Sequence, residues 1–216
     1  MNIEYIAVLD HDHLDNGLFL TSFAKAVASH SERGLILHSD SAYTDRIIQT
    51  GVMRADARIR AIKDLNHRLI ALLADQGVSA IGLNGYQREM ITIDNSGIDV
   101  DLDKFRQLPT QPVLLLSTLI YSLQEDKPVH AKLPVLAGLL MEKFETENLY
   151  LFTKSEDDDI IKKELPSKLS EIENAGEFIQ QRVPDEFHNN LLNGKLTTAT
   201  DFQNYPDIKN CTILDL

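Results

Sequence analysis

The sequence predicts one α/β domain, a three-layer αβα sandwich with a mainly parallel central sheet. Short runs of apolar residues, at 3–9 and 35–38, alternate with segments of helical periodicity. In the longest such segment, residues 54–76, apolar residues recur every three or four positions, and Gly77 follows as a helix stop. Strands that are apolar throughout and separated by helices form parallel sheets covered on both faces.

The other predicted elements continue this alternation. We expect helices at 18–30, 44–50 and 133–145, and strands at 78–83, within 109–123 and at 148–153. A β-hairpin is predicted at 90–98, because the run Asp94-Asn95-Ser96-Gly97 is typical of a tight turn. Residues 10–15 are predicted to be a loop after the first strand, and residues 156–159 an exposed acidic loop.

Composition excludes some classes of partner. The chain has 216 residues and a net charge of −12, so its surface repels nucleic-acid phosphates and anionic lipid, and we expect neither as a partner. The longest nearly apolar run, residues 113–123, is too short to span a bilayer. With a single cysteine, Cys211, and no basic region and apolar core at the N-terminus, the sequence indicates a cytoplasmic protein.

Ionisable side chains follow the first two predicted strands. The stretch VLDHDHLD carries Asp10, His11, Asp12, His13 and Asp15, and His38 and Asp40 follow at the end of the next strand. The carboxyl ends of parallel strands form the usual ligand crevice, and His and Asp are ligands for zinc, manganese or iron. The alternative is a solvated loop whose carboxylates cap the following helix. We favour this second interpretation and predict no metal, although a metal site remains the rival hypothesis.

A second pair of candidates lies later in the chain. His130 and Lys132 flank a strand-to-helix turn that opens into the same predicted crevice. These two residues either contact a ligand or have a capping or surface role, and the sequence leaves both alternatives open.

Several segments together resemble the amino-acid kinase family, and within it the acetylglutamate kinases. GLILHSDS is similar to a strand ending in H-G-G-G, and LNHRLIALLADQGVSAIGLNG to a helix followed by G-x-x-A-V-G-L-S-G. Weaker similarities follow in PVHAKLPVLAGLL, NLYLFTKSEDD and GEFIQQRVPDEF. The resemblance implies a substrate and dimerisation half at 1–125 and a reduced nucleotide half at 126–216. It also implies a homodimer formed near residues 44–50 and the long helix.

The resemblance also implies a pocket in which the phosphotransfer residues are replaced. In this family, lysines offset the charge that develops on the transferred phosphoryl group, and an aspartate holds these lysines in place. Glycine loops let backbone N–H groups approach the phosphates. Here Val8 and Asp185 stand at lysine positions, and Lys132 stands at the aspartate position. The replaced glycines and the family's substrate position give the remaining candidates, which are Asp10, His11, Ser39, Asp40, Ser41, Asn84 and Gly85. From the exchanged signs we predict that Lys132 and Asp185 form an ion pair.

Three functions follow as hypotheses. The first is a kinase-like protein that has lost phosphotransferase activity, has no catalytic residues or cofactor, and binds a small molecule or acts as an oligomeric partner. The second is a divergent active kinase that uses ATP and magnesium to phosphorylate a carboxylate such as N-acetylglutamate. The third is a metal-dependent enzyme built on residues 10–15.

Overall fold

The protein was analysed as a computed structural model, which describes residues 2–41, 55–110, 112–154 and 164–215. Within this part, seven strands form the main sheet in the order β11-β10-β9-β1-β2-β6-β3. All are parallel except the edge strand β11. The strands are β1 (Tyr5–Leu9), β2 (Gly34–His38), β3 (Ala80–Asn84), β6 (Val113–Ser117), β9 (Leu149–Phe152), β10 (Lys195–Thr197) and β11 (Cys211–Ile213).

Helices cover both faces of this sheet, which confirms the predicted fold class. The described helices are α1 (His11–Asp15), α2 (Gly17–Ala28), α3 (Ala55–Asp75), α4 (Leu102–Arg106), α5 (Leu133–Phe144) and α6 (Ala175–Arg182). In β1, Ala7 and Leu9 pack with α2 and α3, whereas Ile6 and Val8 pack in the core that contains α5. Every residue of β1, β2 and β6 is buried, as a covered parallel sheet requires.

A second sheet of four strands lies beside the first, in the order β5-β4-β7-β8. Its strands are β4 (Ile91–Asp94), β5 (Gly97–Val100), β7 (Leu119–Ser122) and β8 (Lys127–His130). The predicted hairpin is confirmed, since Asp94 pairs with Gly97 across the turn. The buried strand predicted within residues 109–123 is confirmed as β6, but the same run also contains β7, because the chain changes sheets at Thr118.

The segment after β1 also differs from the prediction. Residues 11–15 form the helix α1, not a loop, because the Asp10 side chain accepts a hydrogen bond from the backbone N–H of His13 and caps the helix. The long helix predicted at 54–76 is confirmed as α3. The helix predicted at 44–50 and the acidic loop at 156–159 lie outside the described residues. Among the described helices, none is both long and apolar enough to cross a membrane.

Candidate functional site

Polar residues collect where the parallel strands of the main sheet end. Asp10 follows β1, His38 ends β2, Asn84 ends β3, Ser117 ends β6 and Thr153 follows β9. The chain order reverses at β1, which pairs with β2 on one side and with β9 on the other. In open α/β sheets the crevice at such a reversal point is the usual ligand site. We call this side of the sheet the carboxyl edge.

A buried ion pair joins β1 to β9 at this edge. The Nδ1 atom of His13 lies 2.5 Å from Oδ1 of Asp10, and both side chains are at most 1% exposed. On the other side of the ring, Nε2 of His13 donates a hydrogen bond of 3.1 Å to the backbone carbonyl of Thr153. The ring also packs on Phe19 of α2, with the ring centroids 4.2 Å apart.

Both nitrogens of His13 therefore face oxygen atoms that can only accept protons. A carbonyl and an ionised carboxylate are such acceptors, so with Asp10 ionised the ring carries a proton on each nitrogen. Burial alone would lower the pKa of His13, but the carboxylate of Asp10 raises it above its usual range. Burial would likewise raise the pKa of Asp10, but His13 lowers it. The pair is an imidazolium and a carboxylate.

Further ion pairs surround this one. Nδ1 of His11 lies 3.0 Å from Oε1 of Glu186, and the hydrogen bond to Glu186 raises the pKa of His11 to about 9. Lys154, just after β9, pairs with Asp185. Burial and the neighbouring carboxylate of Asp10 raise the pKa of Asp12. We call the group the β1–β9 cluster; its members are Asp10, His11, Asp12, His13, Thr153, Lys154, Asp185 and Glu186.

A second group, the β2–α3 cluster, consists of Asp40, Arg58 and His130. Nε of Arg58 on α3 lies 3.0 Å from Oδ2 of Asp40, and Nε2 of His130 lies 4.0 Å from the other carboxylate oxygen. The side chain of Asp40 is 10% exposed, whereas those of Arg58 and His130 are about a third and a quarter exposed. This group faces solvent more than the inner pair of the β1–β9 cluster does.

His38 lies beneath this second cluster and is held in one neutral form. Its Nδ1 donates a hydrogen bond of 2.8 Å to the carbonyl of Ser39, and its Nε2 accepts one of 3.0 Å from the side-chain amide of Asn66. The proton must therefore reside on Nδ1. Because the ring is fully buried, the pKa of His38 falls to about 4. His38 fixes the turn that carries Asp40 and is not placed to exchange protons with a ligand.

The candidates at the end of β3 have mainly structural contacts. The hydroxyl of Ser117 donates a hydrogen bond of 2.7 Å to the side-chain oxygen of Asn84. Gly85 lies where the two sheets meet, and a Cβ atom there would approach Ile91 and the carbonyl of Leu119 to 3.0 Å. The close packing at this position therefore explains why residue 85 is a glycine. Ser39 and Ser41 are also buried, and the hydroxyl of Ser39 donates to the carbonyl of Asp40.

The predicted residues take part in two groups of contacts at the carboxyl edge. Asp10, His11, Asp12 and Asp185 belong to the β1–β9 cluster, while Asp40 and His130 meet in the β2–α3 cluster. The predicted ion pair between Lys132 and Asp185 is wrong. In the described part of the chain, Asp185 instead contacts Lys154 and His188. Lys132 is exposed and occupies the N-cap position of α5, where its side chain makes no capping hydrogen bond.

Several important residues were not among the sequence-based candidates. His13 was considered only as a metal ligand, but it stands three positions after the helix-capping Asp10, a spacing that places both groups in one helical turn. Asn66 interrupts the apolar face of α3 between Leu65 and Leu69, and a lone amide on such a face is a detectable signal. Lys154 and Glu186 gave no sequence signal, because their partners are remote in the chain.

The described residues contain no group of three or more His, Cys, Asp or Glu side chains arranged to hold a metal ion. The acidic and histidine residues at 10–15 do not converge on one point. Asp10 and His13 face each other, whereas His11 faces Glu186.

The sheet order, the two helical layers and the smaller second sheet together define the amino-acid kinase fold, which solved structures share. The chain matches smu.665 from Streptococcus mutans UA159 with a TM-score of 0.65 and 12% identity, over 98% of either chain. It matches an isopentenyl phosphate kinase with a TM-score of 0.60 and 12% identity, over 93% of this chain and 94% of that one.

A third similar structure is the N-acetylglutamate synthase from Neisseria gonorrhoeae complexed with coenzyme A and N-acetyl-glutamate. The TM-score is 0.63 at 15% identity, over 99% of this chain and 60% of that one. No protein-family model matches the sequence, and no curated protein matches it significantly.

Proposed function

We propose that the chain is an amino-acid-kinase-like protein that has lost phosphotransferase activity and binds a small molecule at the carboxyl edge. The charge balance of the β1–β9 cluster carries this proposal. Its three cationic side chains, His11, His13 and Lys154, each pair with a carboxylate, and Asp12 adds a further carboxyl group. Among the described residues of the crevice between β1 and β9, a triphosphate would therefore meet no surplus positive charge.

The energetic argument is electrostatic. Transfer of a phosphoryl group needs preorganised positive charge and backbone N–H groups aimed at the phosphates. A phosphate oxygen about 4 Å from an unpaired carboxylate would instead be repelled by about 1–4 kcal/mol. The resemblance places the family's lysine at Asp185, which here neutralises Lys154. We therefore propose that the protein uses neither ATP nor magnesium.

The small-molecule part of the proposal rests on the polar lining of the carboxyl edge. The hydroxyl of Thr118 is buried at the end of β6 and has no hydrogen-bond partner among the described residues. The more exposed β2–α3 cluster lies on the same edge. Similar structures include proteins solved with small molecules, such as N-acetyl-glutamate or an isopentenyl phosphate kinase substrate. We propose that a polar ligand forms hydrogen bonds with the hydroxyl of Thr118 and with the β2–α3 cluster.

A divergent active kinase is the second candidate. Its support is the near-complete alignment with isopentenyl phosphate kinase, which covers 94% of that chain. Only a rearranged crevice would give such an enzyme the positive charge that it needs.

Calorimetry with magnesium-ATP tests the proposal. We expect no heat of binding at nucleotide concentrations up to about 1 mM, and no phosphoryl transfer to N-acetylglutamate in a coupled assay. Binding in the micromolar range would support the active-kinase candidate instead. In that case Asp12→Asn should strengthen binding and the matched surface variant Glu125→Gln should not, which would locate the nucleotide at the β1–β9 cluster.

A further inference from the structure

A separate cleft opens at the opposite, amino-terminal edge of the main sheet. It has a volume of about 180 Å³ and lies between the end of α2, the loop before β2, the loop before β3 and the first residue of β6. Ala28, His30, Glu32, Gly77 and Ser79 are among the residues that line it. Because β2 and β3 run away from this edge, the cleft is distinct from the carboxyl edge described above.

Two residues that line this cleft, His30 and Glu32, and the neighbouring Tyr5 carry buried polar atoms. Among the described residues, the hydroxyl of Tyr5, both ring nitrogens of His30 and Oε2 of Glu32 have no hydrogen-bond partner. The side chain of His30 is only 4% exposed, and its Nδ1 lies 3.4 Å from Oε2 of Glu32. Because Nδ1 of His30 and Oε2 of Glu32 face each other, the atoms left without a polar partner in the described part of the chain are Nε2 of His30 and the hydroxyl of Tyr5. Buried polar atoms are nearly always hydrogen-bonded, so these two atoms indicate a missing bonding group.

The aromatic surroundings fix the position of His30. Its ring lies against Tyr5, Phe202 and Tyr205, with centroid distances of 5.4, 5.5 and 5.3 Å. Burial lowers the pKa of His30, so the ring is neutral at physiological pH and supplies no positive charge. A neutral imidazole offers one acceptor nitrogen and one N–H donor.

The electrostatic environment of the cleft is negative. The helices α2 and α3 both end beside it, and helix C-termini carry partial negative charge. The last turn of α3 has no basic residue to offset this charge. Lys25 in the last turn of α2 does not line the cleft, and none of the described lining residues is Lys or Arg. The carboxylate of Glu32 adds a negative group to the lining.

We propose that this cleft binds a small organic ammonium ion, with the ammonium group between Glu32 and His30. An ammonium group has three N–H donors, of which two match the carboxylate of Glu32 and the acceptor nitrogen of His30, while the third stays in contact with solvent in the open cleft. A volume of about 180 Å³ is below the ~300–1,000 Å³ of pockets for drug-sized ligands, so the ligand has only a few carbon atoms.

The test uses butylammonium chloride as the probe and the imidazole NMR signals of His30 as the readout. We expect saturable shifts at millimolar concentrations. Glu32→Gln should weaken binding by about tenfold, equivalent to about 1.4 kcal/mol. Ala28→Leu should also weaken it, because the larger side chain fills the cleft while Glu32 is kept. Ala28 is exposed and the side chain of Glu32 is one-third exposed, so both variants should fold.

Two controls separate this site from general charge attraction. Glu125→Gln removes an exposed carboxylate on the turn between β7 and β8 and should leave the affinity unchanged. Butanol, which has the same chain length without the charge, should give no saturable shift. The proposal is overturned if the His30 signals do not respond to the probe, if Glu32→Gln binds as well as the wild type, or if butanol binds equally.

Discussion

At the scale of single residues, the two histidines at the carboxyl edge differ in protonation although both are fully buried. His13 has a carboxylate as one partner and is an imidazolium, whereas His38 faces a carbonyl and an amide N–H and is neutral. Burial disfavours the charged form of each ring, so the chemical nature of the partner decides the outcome. A histidine in this crevice is therefore not by itself a sign of acid–base catalysis.

We predict that removing either member of the inner pair is costly. His13→Gln or Asp10→Asn leaves one buried charge without its partner, which should lower the free energy of unfolding by about 3–5 kcal/mol. Urea denaturation measures this loss. His11→Gln, which removes a partly exposed ion pair, should cost only about 0–1 kcal/mol. Equal losses for His13→Gln and His11→Gln would contradict the buried imidazolium.

The same pair predicts a pH dependence of stability. The folded-state pKa of His13 is raised above 6.5, so its contribution is complete below about pH 6.5 and is lost as pH rises through the raised value. The pKa of Asp10 is lowered below 3.8, so its contribution is complete above that value and is lost as pH falls through the lowered one. Unfolding free energies of wild type and His13→Gln should therefore converge at alkaline pH.

Nitrogen chemical shifts provide a direct check on both rings. At pH 7, His13 should show two protonated nitrogens, and His38 should show a protonated Nδ1 and an unprotonated Nε2. His38 should remain neutral until pH approaches about 4. A titration of His38 near 6.5 would mean that Asn66 does not hold it as described.

At the scale of elements, the packing of α3 against β3 controls the carboxyl edge. Asn66 on α3 donates to His38, and also lies within 3.3–3.4 Å of the carbonyls of Leu115 and Leu83. A Cβ atom at Gly82 would lie 2.3 Å from the side-chain oxygen of Asn66 and 2.4 Å from Ile70. The absence of a side chain at Gly82 is what allows Asn66 to reach all three acceptors.

We predict that Gly82→Ala displaces Asn66 and lowers the unfolding free energy by about 1–3 kcal/mol. It should also change the Nε2 chemical shift of His38, which a loss of packing elsewhere would not do. Gly17→Ala is the matched control, since a Cβ at Gly17 meets nothing within 4 Å. That variant should be neutral or more stable by up to about 1 kcal/mol. An unchanged His38 signal in Gly82→Ala would argue against the coupling.

The regular elements could be read from the sequence, because their signals are local. The stripe of Ile62, Leu65 and Leu69 sufficed for α3, and the turn at Asp94–Gly97 sufficed for the hairpin. The change of sheets at Thr118 could not be predicted, since residues on either side are equally apolar. Site geometry was also inaccessible, because the Lys154–Asp185 and His11–Glu186 pairs depend on segments 31 and about 175 residues apart.

At the scale of the whole molecule, we predict a homodimer, which the resemblance implies through the N-terminal half. The predicted surface includes residues 44–50, which lie outside the described part, and exposed positions of α3. Light scattering at micromolar concentration should give twice the mass of 24.3 kDa. Replacing both His67 and Arg68, which are exposed on α3, with glutamate should weaken the dimer if this surface is used. A monomeric mass for the wild type would contradict the prediction.

The central position of β1 in the main sheet limits how the polypeptide can be divided. β1 pairs on one side with β2, about 30 residues later, and on the other with β9, which begins at Leu149. A fragment of residues 1–125 would keep the first pairing and lose the second, exposing a strand edge in which all five residues are apolar. Unpaired apolar edges promote association of strands between molecules. Such a fragment should aggregate during expression unless the remaining residues are supplied in the same cell.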